Sequence, residues 1–114
     1  MDQCIFCRIA SGELKSDLVY QDEMVVAFRD INPQAPHHIL IIPRRHIETV
    51  HDLTESDAGL IGRLVLTANR IADQLGIADR GYRLLFACRE EGGQSVYHIH
   101  LHLLGGRQMK WPPG

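Results

Sequence analysis

Between Val96 and Gly106 the chain reads VYHIHLHLLGG, with histidine at 98, 100 and 102 and an apolar residue at each position between them. That alternation has the period of a β-strand, in which successive side chains point to opposite faces. Read as a strand, the segment places the three imidazoles on one face, in phase with Val96. Ile99, Leu101 and Leu103 lie on the other. One face is polar and one is greasy, and a greasy face pressed on a core holds the histidines rigidly.

The remaining patterns supply the core. CIFCRIASGE reads as a short helix or turn that stops at Gly12. DLVYQ and MVVAFRD are two β-rich runs on a short connection, which predicts a hairpin. NPQAP breaks the chain, and HILIIP follows as a strand ended by Pro43. The helix pattern is strongest from Thr54 to Leu75. Thr54 and Asp57 make a capping-box-like start, Leu60, Leu64, Ala68, Ile71 and Leu75 recur at spacings of three and four, and Gly76 supplies the stop. YRLLFACR and VYHIHLHLL are two further strands joined by the loop EEGGQS, and residues 105–114 form an irregular tail. One long helix, one short N-terminal helix and about five strands on short connections predict an α+β fold with an antiparallel sheet. Long βαβ alternation is absent, and EEGGQS lacks the strand–glycine–helix context of a phosphate-binding P-loop.

At 114 residues the chain is expected to be one domain, 1–114, that buries roughly two-thirds of its unfolded surface. A net charge of −2 argues against non-specific nucleic-acid binding, which needs a clustered basic surface. No apolar run reaches the length of a membrane span, and the N-terminus has no basic stretch followed by an apolar one. Three cysteines do not make a disulfide framework. The expectation is a cytoplasmic protein with no membrane or nucleic-acid partner.

Three alternating imidazoles suggest two chemistries. They can form a catalytic zinc site with an open fourth position. Alternatively one imidazole is a nucleophile, a role suited to a group whose pKa lies near 7, while the others hold an anion. For attack on phosphorus, GGQS offers backbone N–H donors and the Ser95 hydroxyl just before the histidines. Cys4 and Cys7 form a C-x-x-C pair, which reads as a redox couple, as half a metal site, or as two semi-buried thiols. Cys88 reads as a small core residue.

HIHLHLL resembles the signature of the histidine triad family of nucleotide hydrolases and transferases, and the resemblance spans nearly the whole chain. CIFCRIASGE, VVAFRDINPQAPHHILIIPRRHI, GYR, GGQSVYHIHLHLLGGRQM and WPPG are similar to its Hint branch, the purine nucleoside phosphoramidases. The resemblance implies that His100 is the nucleophile and that the His98 carbonyl fixes its tautomer. It implies that His102 and Ser95 contact the phosphate, with Gln94 in the same loop, and that His38 supports the nucleophile from the neighbouring strand. His37, of opposite strand parity, has no role. Asp30 would bind the ribose hydroxyls, as a carboxylate accepting two hydrogen bonds can. Phe6, Ile9, Phe28, Ile31 and Leu40 would clamp a purine with weak discrimination between adenine and guanine.

The same resemblance implies a structural zinc held by Cys4, Cys7, His46 and His98, and no cofactor for catalysis. It also implies a homodimer with one continuous sheet, in which the tail with Trp111 reaches toward the partner's site. Two positions depart from the branch: Ala87 stands where an asparagine that helps hold the phosphate is usual, and Arg29 where histidine is frequent. The activity implied is hydrolysis of purine nucleoside 5'-phosphoramidates and related nucleotidyl adducts. The competing reading is a nucleotide-binding regulatory module whose hydrolysis is incidental.

Overall fold

The computed structural model describes residues 3–114. The chain begins with helix α1 (Ile5–Ala10), then strands β1 (Leu18–Gln21), β2 (Val25–Arg29) and β3 (His37–Pro43). The long helix α2 (Ala58–Leu75), strand β4 (Tyr82–Leu85), a single helical turn α3 (Arg89–Gly92) and strand β5 (Leu101–Gly105) follow. The five strands form one sheet in the order β1-β2-β3-β5-β4, antiparallel throughout. This is the α+β architecture read from the sequence, with both expected helices.

Two elements differ from the sequence reading at the place that matters most. The histidine strand begins only at Leu101, so His98 and His100 lie ahead of it in a bent segment. The run YRLLFACR likewise pairs only as far as Leu85, and EEGGQS contains the α3 turn instead of being wholly loop. The tail starts at Gly106, one residue later than expected. Gly106 has φ +94°, and a Cβ there would stand 2.9 Å from the Pro36 ring, so only glycine turns the chain at that point.

The long helix forms as its capping pattern predicts. Thr54 and Asp57 make the reciprocal capping box around a 3₁₀ turn over Glu55–Asp57, α2 continues from it, and Gly76 closes it with φ 72°. Leu64, Ala68 and Ile71 are fully buried against Val25, Ala27, Ile39, Ile41, Leu101 and Leu103 of the sheet. The opposite face is not simply polar, as the alternation suggested. Phe6 and Ile9 of α1 bury Val26, Phe28, Leu40 and Ile42 in a second apolar cluster. Strands β2 and β3 are therefore covered on both sides, which explains their nearly unbroken apolar runs. Arg44 ties α1 in place by donating to the carbonyls of Ala10 (2.5 Å) and Asp22 (2.7 Å).

Candidate active site

The bent segment before β5 is held by hydrogen bonds of its histidine rings to main-chain carbonyls. His98 is completely buried, and its Nε2 donates to the Pro43 carbonyl at 2.8 Å. Its Nδ1 therefore carries the lone pair. His100 Nδ1 donates to the His98 carbonyl at 2.8 Å, so the lone pair of His100 is on Nε2. That local bond runs from residue i+2 back to i, just ahead of the ladder that starts at Leu101. Phe6 stands edge-on to both rings, 6.0 Å from His98 and 5.1 Å from His100 between centroids. The two histidines thus share the α1 side of the sheet, while Ile99 and Leu101 pack toward α2. The alternation of faces holds although the strand does not.

His38 and His102 form a second chain of fixed tautomers. The Gln34 N–H donates to His38 Nδ1 at 3.0 Å, so His38 Nε2 bears a proton and donates to His102 Nδ1 at 2.9 Å. Asp30 Oδ2 lies 3.5 Å from the same Nε2. His102 is left with its proton on Nε2, a donor whose direction is set. Asp30, His38 and His102 lie close enough together to hold a metal, but the Gln34 amide occupies the nitrogen that would have to carry the proton if His38 Nε2 were a ligand. His38 and His102 are a hydrogen-bonded pair with the Asp30 carboxylate beside it. His38 touches His102, whose ring centroid is 4.9 Å from that of His100.

The other residues singled out from the sequence lie in several different environments. Phe6, Ile9, Phe28 and Leu40 are buried together beside the histidines. Ile31, next to Asp30, is 99% exposed and does not pack with them, because it lies in the bend after β2 and not on the strand. Ser95 is exposed in the loop before the histidines. Gln94, read from the sequence as a nucleotide-binding residue of the same loop, is buried with its amide spent on main chain. It donates to the Glu48 carbonyl (2.7 Å) and the Val96 carbonyl (3.1 Å), and accepts from the Arg89 N–H (2.8 Å). Ala87 is half-buried between β4 and α3. Arg29 faces Asp17 across 3.6 Å, and Trp111 is 81% exposed. His37 is half-buried, and its Nδ1 has no hydrogen-bond partner among the described residues.

Cys4, Cys7, His46 and His98 converge into one donor set, with all ligand atoms within 4.8 Å of one another. Cys4 Sγ is 3.4 Å and Cys7 Sγ 3.5 Å from His98 Nδ1. Cys7 Sγ is 3.3 Å from His46 Nδ1, and the two Nδ1 atoms are 3.2 Å apart. Tetrahedral zinc with ordinary bond lengths separates two nitrogens by about 3.3 Å and a nitrogen from a sulfur by about 3.6 Å. The donors fit such an ion, and the tautomer that Pro43 imposes on His98 points the ligand nitrogen at it. In the metal-free state burial and the hydrogen bond with Cys4 push the Cys7 thiol up to about 11, so metal binding there must displace protons.

Burial is the largest influence on the imidazoles and lowers the pKa of His38, His98, His100 and His102. The effect is greatest at His102, brought from 6.5 to about 4 by burial and then by the neighbouring His100 and His38, against a partial opposing pull from Asp30. An unfolded chain takes up this proton near pH 6.5 and the folded one only near 4. The stability that follows is present above pH 6.5 and is lost as pH falls toward 4, up to about 3 kcal/mol for this group. Urea unfolding between pH 7 and 4.5 should show the wild type losing stability faster than His102→Asn. Parallel curves for the two proteins would refute this account of His102.

A family model described as "HIT domain" matches residues 11–109. A purine nucleoside phosphoramidase of Escherichia coli K12 is 53% identical over 108 residues, covering 95% of this chain and 91% of that protein. An uncharacterized HIT-like protein of Synechococcus elongatus is 46% identical over 113 residues, or 99% of this chain and 98% of its own. Among solved structures, a HIT family hydrolase from Legionella pneumophila superposes with a TM-score of 0.97 at 52% identity, covering 98% of this chain and 100% of that one. A histidine triad protein from Clostridium difficile gives 0.93 at 40% identity, with coverage of 96% and 95%. This chain belongs to the HIT family.

Proposed function

We propose that this protein hydrolyses purine nucleoside 5'-phosphoramidates and related nucleotidyl adducts through a nucleotidyl-histidine at His100. The observation that carries the reading is the 2.8 Å bond from His100 Nδ1 to the His98 carbonyl, which leaves the lone pair on Nε2, in a buried ring flanked by Phe6 and His102. The 53% identity to a purine nucleoside phosphoramidase supports the substrate class. His100 Nε2 gives its lone pair to the α-phosphorus, the bond from phosphorus to the leaving nitrogen breaks, and the amine departs with a proton from solvent. Water then attacks phosphorus, the bond from phosphorus to Nε2 breaks and a proton from that water passes to solvent, releasing nucleoside monophosphate and restoring neutral His100. In this reading His102 Nε2–H and the loop around Ser95 donate to the phosphate, and Ser95 also hydrogen-bonds the leaving nitrogen. Asp30 takes the ribose hydroxyls. Phe6, Ile9, Phe28 and Leu40 floor the base site, with Ile31 at its open edge. Ala87 brings no hydrogen-bonding side chain, so the phosphate depends the more on His102 and Ser95.

His100→Ala should remain folded, still bind nucleoside monophosphate, and lose several powers of ten in turnover of a purine nucleoside phosphoramidate, on the order of the losses seen when a covalent nucleophile is removed. Near-normal turnover in that variant would falsify the mechanism. A regulatory module with incidental hydrolysis would instead show tight nucleotide binding in the wild type without steady-state turnover.

The Cys4, Cys7, His46 and His98 set is assigned to zinc. Two thiolates and two imidazoles close the tetrahedron, so the ion would be structural, joining α1 to the segment before β5. Elemental analysis of carefully prepared protein should find about one zinc per chain, and Cys4→Ala should lose it together with some thermal stability. Protein free of zinc under those conditions would rule the site out.

The chain is taken as a single domain over 1–114 that works in the cytoplasm as a homodimer. No described helix is long and apolar enough to cross a membrane. β4 is an edge strand of the sheet, and Leu85 on it and Leu66 on α2 are 37% and 65% exposed. An unprotected edge beside exposed leucines suits pairing with a second copy. Sedimentation at micromolar concentration should give a dimer that Leu66→Asp weakens; a monomeric wild type would overturn the shared sheet.

A further inference from the structure

Residues 95–100 have to be held without a strand ladder. The described main-chain bond from this segment to the body of the protein is Ile99 N–H to the Ile47 carbonyl at 2.8 Å. At the head of the segment stands Gln94, 8% exposed. Both of its amide hydrogens and its oxygen are committed, all to main chain, so the contacts do not depend on which side chains its neighbours carry. They join three stretches: Arg89 at the start of α3, Glu48 two residues after the metal donor His46, and Val96 in the segment itself.

The clasp has a second half. Gln94 N–H donates to the Arg89 carbonyl at 3.0 Å while Arg89 N–H donates to Gln94 Oε1, a reciprocal pair. Arg89 has φ 61°, the left-handed region, and is the one non-glycine residue there among the described residues. A side chain with a Cβ does not hold that conformation without support. The reciprocal pair supplies it, and the next exposed residue after the clasp is Ser95.

We propose that Gln94 is a positioning residue for the phosphoryl-transfer step: its carboxamide takes the place of the missing ladder and sets where Ser95 and the histidine segment lie. The inference rests on the hydrolytic reading above. It requires a group with two donors and one acceptor in a planar fork. Glutamate keeps the shape and the bond from Arg89, but turns a carboxylate toward the two carbonyls.

The test measures kcat and KM on a purine nucleoside phosphoramidate for Gln94→Ala, Gln94→Glu, Ser95→Ala and the double variant Gln94→Ala/Ser95→Ala. Gln94→Ala and Gln94→Glu should each lower kcat about ten- to a hundred-fold with KM changed less than about threefold. In the double variant the loss of Ser95 should cost less than about threefold more, because Ser95 is already displaced. Replacing Arg89 by glycine in the Gln94→Ala background should recover at least about threefold in kcat, since glycine holds the left-handed turn unaided. Should Gln94→Ala not fold, Gln94→Glu closes the same cycle with Ser95→Ala. Unchanged kcat in Gln94→Ala, fully additive losses, or no recovery with Arg89→Gly overturns the proposal. A wild type without turnover, or an active His100→Ala, overturns the hydrolytic reading instead, so the two failures are distinct.

Discussion

His98 is gripped at three points, and the rest of the site follows from them. Its Nε2 is committed to the Pro43 carbonyl, its Nδ1 looks into the thiol pair of α1, and its own carbonyl receives the His100 ring. Each bond removes a freedom from the next group along. The Pro43 carbonyl chooses the tautomer of His98, and the His98 main chain chooses the tautomer of His100. A fully buried imidazole with no such partners would be costly, whereas here the polar atoms are matched and the burial stiffens the arrangement.

Helix α1 works as a cover whose position is decided by polar groups at both ends. Arg44 holds its C-terminal carbonyl, and Cys4 and Cys7 reach the histidines at its start. Between them Phe6 lies against Phe28 and the His100 ring, with centroids 5.4 and 5.1 Å apart. The short helix has too few residues to persist by propensity alone. Its order comes from what it touches, and through Phe6 that order is passed to the His100 imidazole.

Much of this was legible in the chain. The spacing of Leu64, Ala68 and Ile71 and the Thr54–Asp57 pair predict α2 to within its 3₁₀ entry, because local capping and periodicity act without tertiary help. The histidine alternation predicts the correct faces but the wrong conformation. Face depends on parity, which the sequence shows, while the ladder depends on tertiary pairing partners, which it does not. The same limit applies to Gln94 and Ile31. Nothing in GGQS shows that the amide of its glutamine is spent on the carbonyls of Glu48 and Val96, and nothing in the residues around Asp30 shows that Ile31 leaves the strand for a bend. The nearly unbroken apolar runs of β2 and β3 fit burial on two sides, a pattern that the polar reading of the histidine face left unused.

The chain of imidazoles from His38 to His102 has a polarity, and that polarity is written in main chain. The Gln34 amide hydrogen sets it at one end, and at the other end His102 must present a hydrogen and not a lone pair. The side chain at position 34 is exposed and takes no part in that choice. Sequence can therefore drift there without altering which of the two His102 nitrogens faces a ligand as a donor. Only a residue without an amide hydrogen would release the chain to run the other way, so proline is the one substitution at this surface position that reaches the proton inventory of the site.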